Sequence, residues 1–313
     1  MSKEIEDKLA KIPVINLLVK LLKSIKLPGF EGLSIYDLLE IYTIGIVKGA
    51  LTSRASAIAF SFFTAIFPFL LFILIVIPYI PIDGFEVEFS KFLESFLPPS
   101  TSDFFFKSIF ENIQGNQQAG LLSSVFLLSI FLMANGVSAV FSGFENSYHQ
   151  QLTRNVLNQY LFALGVALIL AFLVIITVAV MGYFEIYLIP NLFERLEDQG
   201  LAKQDHSTLW ITIAKYVFYI VMVYLATAIL YYFGTKEGKL SRFFSVGALL
   251  TTILIILTSY LFGVYIENFS KYNELYGSIG ALLILLFYMW LNANILLLGF
   301  ELNVSLNKLK SKF

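Results

Sequence analysis

The stretch from Tyr276 to Asn303, YGSIGALLILLFYMWLNANILLLGFELN, constrains this chain more than any other. It is long enough to cross a ~30 Å hydrocarbon core as a helix. Yet it carries Trp290, Asn292 and Asn294 in its middle and Glu301 at its exit. Asparagines inside a bilayer need hydrogen-bond partners, which predicts a helix inside a bundle rather than a lipid-facing anchor. At 100° per residue Trp290, Asn294, Leu297 and Glu301 share one face and Tyr288, Asn292 and Gly299 another, so the helix is expected to be surrounded.

The rest of the chain agrees on the class. Hydrophobic residues make up 58%, charged residues 14%, and mean hydropathy is +0.79. With apolar runs well over 18 residues this excludes a soluble globular chain and predicts an all-α integral membrane protein. The net charge of −1 gives no field for nucleic acid, so no nucleic-acid partner is expected. With no cysteine and two histidines, His149 and His206, there is no disulfide and no thiolate metal site, and no cofactor is expected.

Six spans are predicted, at about 57–81, 121–144, 160–183, 209–233, 243–266 and 279–300, within one membrane domain over 51–313. Residues 1–50 read as amphipathic helices on the membrane surface. From Ile5 to Ile25 apolar residues recur at helical spacing with Lys8, Lys11, Lys20, Lys23 and Lys26 between them, a pattern suited to an anionic surface. Ser34 and Asp37 form a cap-like start to a second helix toward Gly49. The loop from Asp83 to Ala119 repeats phenylalanines at helical spacing and predicts two short amphipathic helices. With both termini inside, Lys and Arg number fifteen on the inner segments against five on the outer, which favours cytoplasmic termini.

The ionisable groups near the membrane are the candidates for chemistry. Arg54 enters the first span, Glu145 leaves the second and Glu301 leaves the sixth, all at the cytoplasmic interface. Glu145 and Glu301 are read as lying at helix C-termini, where the macrodipole disfavours an acid and calls for a cation nearby. Arg54 is the best-placed partner, either in an ion pair tying three helices together or in a headgroup or proton site. Pro68 removes a backbone hydrogen bond in mid-span and predicts a kink. Asn135, with Gly136, Ser138 and Gly143, reads as a packing feature or a ligand site, and Asn292 and Asn294 as packing groups or the lining of a polar cavity. No Walker loop, HExxH motif, nucleophile elbow or carboxylate cluster is present.

Three ordered motifs carry a family resemblance: RASAIAFSFFTAIFPFLLF, ANGVSAVFSGFENSYHQ and the stretch from Tyr276 to Asn303. Together they resemble the YihY/BrkB family of bacterial inner-membrane proteins, over about Arg54 to Asn303. The matching positions are Phe60, Phe67 and Pro68, then Asn146 and Tyr148, then Tyr276, Gly277, Trp290, Gly299, Glu301 and Asn303. The resemblance implies a multi-pass protein of the inner membrane linked to envelope lipid traffic, and it brings no agreed substrate. It also brings a ribonuclease label, which lacks the metal-binding carboxylates and basic groove that such chemistry needs.

Two functions are therefore carried forward. One is a translocator or exporter of an amphipathic or lipid-linked envelope substrate, with Arg54, Pro68, Asn135, Glu145, Asn146, Tyr276, Trp290, Asn292, Asn294 and Glu301 along its pathway. The other is a non-transporting scaffold that organises envelope lipids or enzymes. Membrane lipids are the expected partners, and the sequence leaves the oligomeric state open.

Overall fold

The computed structural model describes residues 13–26, 32, 34–37, 39–40, 50–76, 119–145, 155–184, 204–234, 243–269 and 278–310. Seven helices are placed there: α1 Pro13–Ser24, α2 Leu51–Val76, α3 Ala119–Glu145, α4 Val156–Tyr183, α5 Gln204–Gly234, α6 Val246–Phe269 and α7 Ser278–Lys310. No strand occurs among the described residues. A helix satisfies each backbone donor within its own segment, which apolar surroundings demand. Five helices, α3 to α7, are long and apolar enough to cross a membrane, while the described part of α2 supplies a shorter apolar helix, Leu51–Ile66.

The six long helices close into a ring. α2 packs on α3, α3 on α4, α4 on α5, α5 on α6, α6 on α7 and α7 back on α2, with α3 also touching α5 and α7 across the middle. Five of the expected spans fall on α3 to α7 with differing ends, and the first falls in part on α2, its positions 77–81 lying outside the described residues. α7 continues about three turns beyond position 300, and α2 begins six residues before 57. Span length estimated from hydrocarbon thickness misses both extensions, because the backbone ladder continues into less apolar sequence.

Among the described side chains burial is one-sided on α5, α6 and α7. Of the described side chains, those buried on α2 are Leu51, Arg54, Ala55, Ile58, Ala59 and Ala65; on α5 they start at Thr227, and on α6 they stop at Thr252. On α7 every residue from Gly299 to Leu306 is buried, so the end that holds Glu301 is enclosed on all faces, whereas the expectation that the whole helix is surrounded fails from Leu282 to Asn292, the stretch with Trp290 and Asn292. At the other end the picture reverses. From Ile253 to Tyr265 on α6, from Ile213 to Ala226 on α5 and from Leu282 to Asn292 on α7, no residue is buried. Each run exceeds three turns and visits every face, so no face is fully buried there, although most residues of the α7 run are half-buried.

Before the ring, α1 exposes Leu17, Leu18 and Leu21, and Ile25 just after it is exposed too. An isolated bridge joins Lys26 to Ser34, with Gly32 at φ 91° supplying the reversal. Ser34 then caps the next turn: its amide and hydroxyl both donate to Asp37 Oδ2 (2.8 and 2.6 Å), and the Asp37 amide donates back to Ser34 Oγ. The remainder of the expected N-terminal helices and the phenylalanine-rich loop lie outside the described residues.

Candidate functional site

The enclosed end of the ring holds a buried charge. Arg54 is 9% exposed and Glu301 1%, and the guanidinium spans two helices. Nη2 donates to Glu301 Oε1 on α7 at 3.0 Å, and Nη1 donates to the Gly143 carbonyl on α3 at 2.8 Å. Arg54 Nε is buried with no hydrogen-bond partner among the described residues. One planar fork thus joins α2, α3 and α7, which a lysine point charge would not do. Glu145, the last residue of α3, is also buried, at 4% exposed. Among the described residues the ion pair of Arg54 is with Glu301. The expected position of Glu301 at a helix C-terminus needs correction: α7 runs on to Lys310, so the acid sits mid-helix and is held by Arg54 without a dipole argument.

Beside this layer α5, α6 and α7 are tied by neutral polar groups. Tyr231 OH lies 2.6 Å from Thr251 Oγ1 and donates to the Leu296 carbonyl at 2.7 Å. Asn303 Oδ1 accepts from the Gly247 amide, and its Nδ2 donates to Ser245 Oγ, both at 2.8 Å. The first turn of α6 is therefore capped by a residue of α7. Gly247 and Gly299 permit this approach: a Cβ on Gly299 would fall on Thr251 Oγ1 and within 2.6 Å of Tyr231 OH. Three rings then fill the middle. Phe144 stacks on Phe300 (4.2 Å, 13°) and meets Tyr231 edge-on (5.5 Å, 69°). Gly234 admits Phe144, since a Cβ there would meet its ring at 2.6 Å.

The unenclosed half carries the remaining candidates. Asn292 Nδ2 donates to the Tyr288 carbonyl at 2.9 Å and Asn294 Nδ2 to the Trp290 carbonyl at 2.7 Å. The expectation that both amides seek neighbouring helices is thus replaced by i−4 bonds within α7, a local competitor always within reach. Asn292 Oδ1 remains buried with no partner among the described residues. Tyr288 OH lies 2.5 Å from Ser259 Oγ on α6, and its ring stacks on Phe262. Trp290 is partly buried against the core and stacks on Phe287. Pro68 is half-buried and α2 continues through it to Val76. Asn135 is exposed on α3, away from the buried layer. Asn146 and Tyr276 lie outside the described residues.

Arg54 and Glu301 are thus brought together, with Gly143 between α2 and α3, whereas Asn135 stands apart from them. Sequence reasoning did not single out Tyr231, Ser245, Gly247 or Thr251. Gly299 and Asn303 came only through the motif that contains them, and Gly143 only as a small neighbour of Asn135. The available signal was the Gly and Thr content at the start of α6, since small residues mark close helix approach in membranes.

The fold and this layer define a polytopic helical membrane protein whose helices are cross-linked at one end by buried polar contacts. A family model described as Virulence factor BrkB matches residues 46–312, and the chain belongs to that family. It is 29% identical to the ribonuclease-like protein YfkH of Bacillus subtilis (strain 168) over 261 residues, 82% of this chain and 90% of that protein. It is 20% identical over 264 residues to the UPF0761 membrane protein NTHI0384 of Haemophilus influenzae, covering 84% and 92% of the two chains. A shorter match to a UPF0761 membrane protein of Xanthomonas oryzae pv. oryzae reaches 43% over 60 residues, 19% of this chain and 14% of that one. No solved structure matches.

Proposed function

We propose that this chain is a translocator or exporter of an amphipathic or lipid-linked envelope substrate in the bacterial inner membrane. One observation carries the reading: a ring of helices is enclosed at one end and has helices with no fully buried face at the other. A scaffold would gain stability by packing both ends. A translocator needs room between its helices, and the unenclosed half offers the partly exposed rings of Phe262, Phe287, Tyr288 and Trp290 to an apolar substrate, while Asn292 Oδ1, buried and without a partner among the described residues, meets a polar one only once the helices part.

In this reading α2 is the first of six spans, since its 26 residues measure about 39 Å at ~1.5 Å per residue. The domain covers 51–313, and α1 lies on the membrane with Leu17, Leu18, Leu21 and the following Ile25 toward lipid and Lys20 and Lys23 toward phosphates. The excess of basic residues puts the enclosed end, with Arg54 and Glu301, in the cytoplasmic leaflet. That end is the seal, and the unenclosed end faces outward. The chain has no nucleotide-binding motif, so drive comes from an ion gradient or a partner. The ribonuclease-like label of the Bacillus relative is not carried over, and the chain acts without catalysis.

The test is transfer of a headgroup-labelled fluorescent phospholipid across vesicles holding the purified protein. Asn292→Leu and Asn294→Leu each remove one bond to the helix's own backbone, so folding should persist. At least one should abolish transfer while melting stays unchanged. Two folded, fully active variants would remove α7 from the pathway, and a wild-type protein that moves no more probe than empty vesicles would overturn transfer of this lipid class.

A further inference from the structure

The outward face of α3 carries a group that the fold leaves unused. Ser124, Leu128, Phe131, Asn135 and Ser142 are exposed, and their spacing of three, four and seven residues sets them on one face. Asn135 precedes Phe144 by nine residues, so at 100° per residue the two point in opposite directions. Phe144 faces into the ring, against Phe300 and Tyr231, and the Asn135 stripe therefore faces out. At ~1.5 Å per residue Asn135 lies about 15 Å from the Glu145 end of α3, near the middle of a ~30 Å core.

Asn135 is also chemically unlike the asparagines in the middle and buried end of α7. Asn292, Asn294 and Asn303 all spend their amides on protein acceptors. Asn135 has no hydrogen-bond partner among the described residues, its own i−4 carbonyl included. A carboxamide turned toward hydrocarbon at mid-depth is unfavourable until it finds a partner. The surrounding surface is held in place: Tyr160 OH donates to the Phe131 carbonyl at 3.0 Å, and Gln159 Nε2 to Ser142 Oγ at 2.8 Å, which fixes α4 alongside the stripe.

We propose that this stripe is the contact between two copies of the chain, related by a two-fold axis along the membrane normal. A carboxamide both donates and accepts, so it is its own complement. A two-fold axis sets each residue of the stripe against its equivalent at the same depth, which no unrelated helix does without an independently placed polar group. Copies inserted in the same orientation meet this condition automatically. Leu128 and Phe131 then cover one another, and the two Asn135 amides pair across the axis.

The full chain has no cysteine, which makes the test direct. Leu128→Cys on the stripe and Val264→Cys, exposed on α6 and at a similar depth, both about 26 Å from the enclosed end at ~1.5 Å per residue, are each oxidised in bilayers at low protein-to-lipid ratio. A covalent dimer is expected from the first and not from the second. Energy transfer between labelled copies should then show dimerisation weakened roughly 5- to 30-fold by Asn135→Leu, the range for one interhelical amide contact, and retained by Asn135→Gln. The Leu128→Cys arm keeps Asn135 intact and does not depend on how the leucine variant folds. Equal cross-linking at both positions, association indifferent to Asn135→Leu, or cross-linking in cells only to a different membrane protein would each overturn the proposal.

Discussion

Arg54 and Glu301 are 247 residues apart in sequence and 3.0 Å apart in space, and the same guanidinium holds the Gly143 carbonyl. The pair is buried, so its energetics follow the desolvated case and not the surface one. Removing one partner strands a charge among apolar neighbours. Arg54→Ala should lower stability by about 3–5 kcal/mol. Arg54→Lys should recover little of that, since an ammonium cannot span both acceptors in one plane. The double change Arg54→Met with Glu301→Met should be milder than Arg54→Ala alone. Thermal melting in detergent checks the order, and an unshifted Arg54→Ala midpoint would mean that the layer is solvated.

The crossing of α6 and α7 depends on Gly247 and Gly299. A methyl at Gly299 meets Thr251 Oγ1, Tyr231 OH and the Gly247 carbonyl, two of which are already hydrogen-bonded to each other. Gly299→Ala should therefore cost about 1–3 kcal/mol by overpacking. Gly263 on the same α6 faces open space, with nothing within 4 Å of where a Cβ would stand. Gly263→Ala should be neutral or stabilising by up to ~1 kcal/mol, from helix propensity alone. If the two alanines melt alike, close approach is not what Gly299 provides.

The contrast explains what could be read from sequence. The spans were legible because apolar length decides them, and Arg54, Glu145 and Glu301 stood out because charge is rare at such depth. Tyr231 and Thr251 did not stand out. In a bilayer both the interior and the lipid-facing surface are apolar, so the amphipathic signal that identifies a core face in a soluble helix is lost. Asn292 and Asn135 look equivalent in sequence, yet one bonds its own helix and the other faces outward. Helix rotation, which the sequence alone left open, separates them.

Ala50, immediately before α2, has φ 45°, in the left-handed region. Its carbonyl accepts from both Ser53 N and Arg54 N at 3.1 Å, so the strained residue starts the turn that delivers Arg54. Ala50→Gly relieves a steric cost of about 1–2 kcal/mol, partly offset by the greater freedom of glycine in the unfolded chain. A net gain of roughly 0.5–1 kcal/mol should raise the melting midpoint by a few degrees at most. A lower midpoint would show that Ala50 is not strained.

The proposed orientation rests on the distribution of lysine and arginine. Cysteines introduced at Ser2 and Ser311 should resist an impermeant thiol reagent in intact cells, while one at Ser102 should label. Labelling at either terminus would reverse the assignment of the enclosed end to the cytoplasm.

The last prediction concerns solvent access along α7. Leu297 is fully buried, five residues beyond Asn292, whereas from Asn292 back to Leu282 no residue is fully buried. Five residues are about 7.5 Å at ~1.5 Å per residue, so the boundary between the two halves is sharp. If the unenclosed half admits water, a cysteine at Asn292 or Trp290 should react with a small water-soluble maleimide in sealed vesicles, and one at Leu297 should not. Lipid filling gives a different pattern, because thiols ionise poorly in hydrocarbon and the thiolate is the reactive form. Then Asn292→Cys should stay as unreactive as Leu297→Cys, yet be quenched by spin-labelled acyl chains after labelling in detergent. Unreactive and unquenched cysteines at both Asn292 and Trp290 would mean that other protein covers this half, and the translocator reading would lose the observation that carries it.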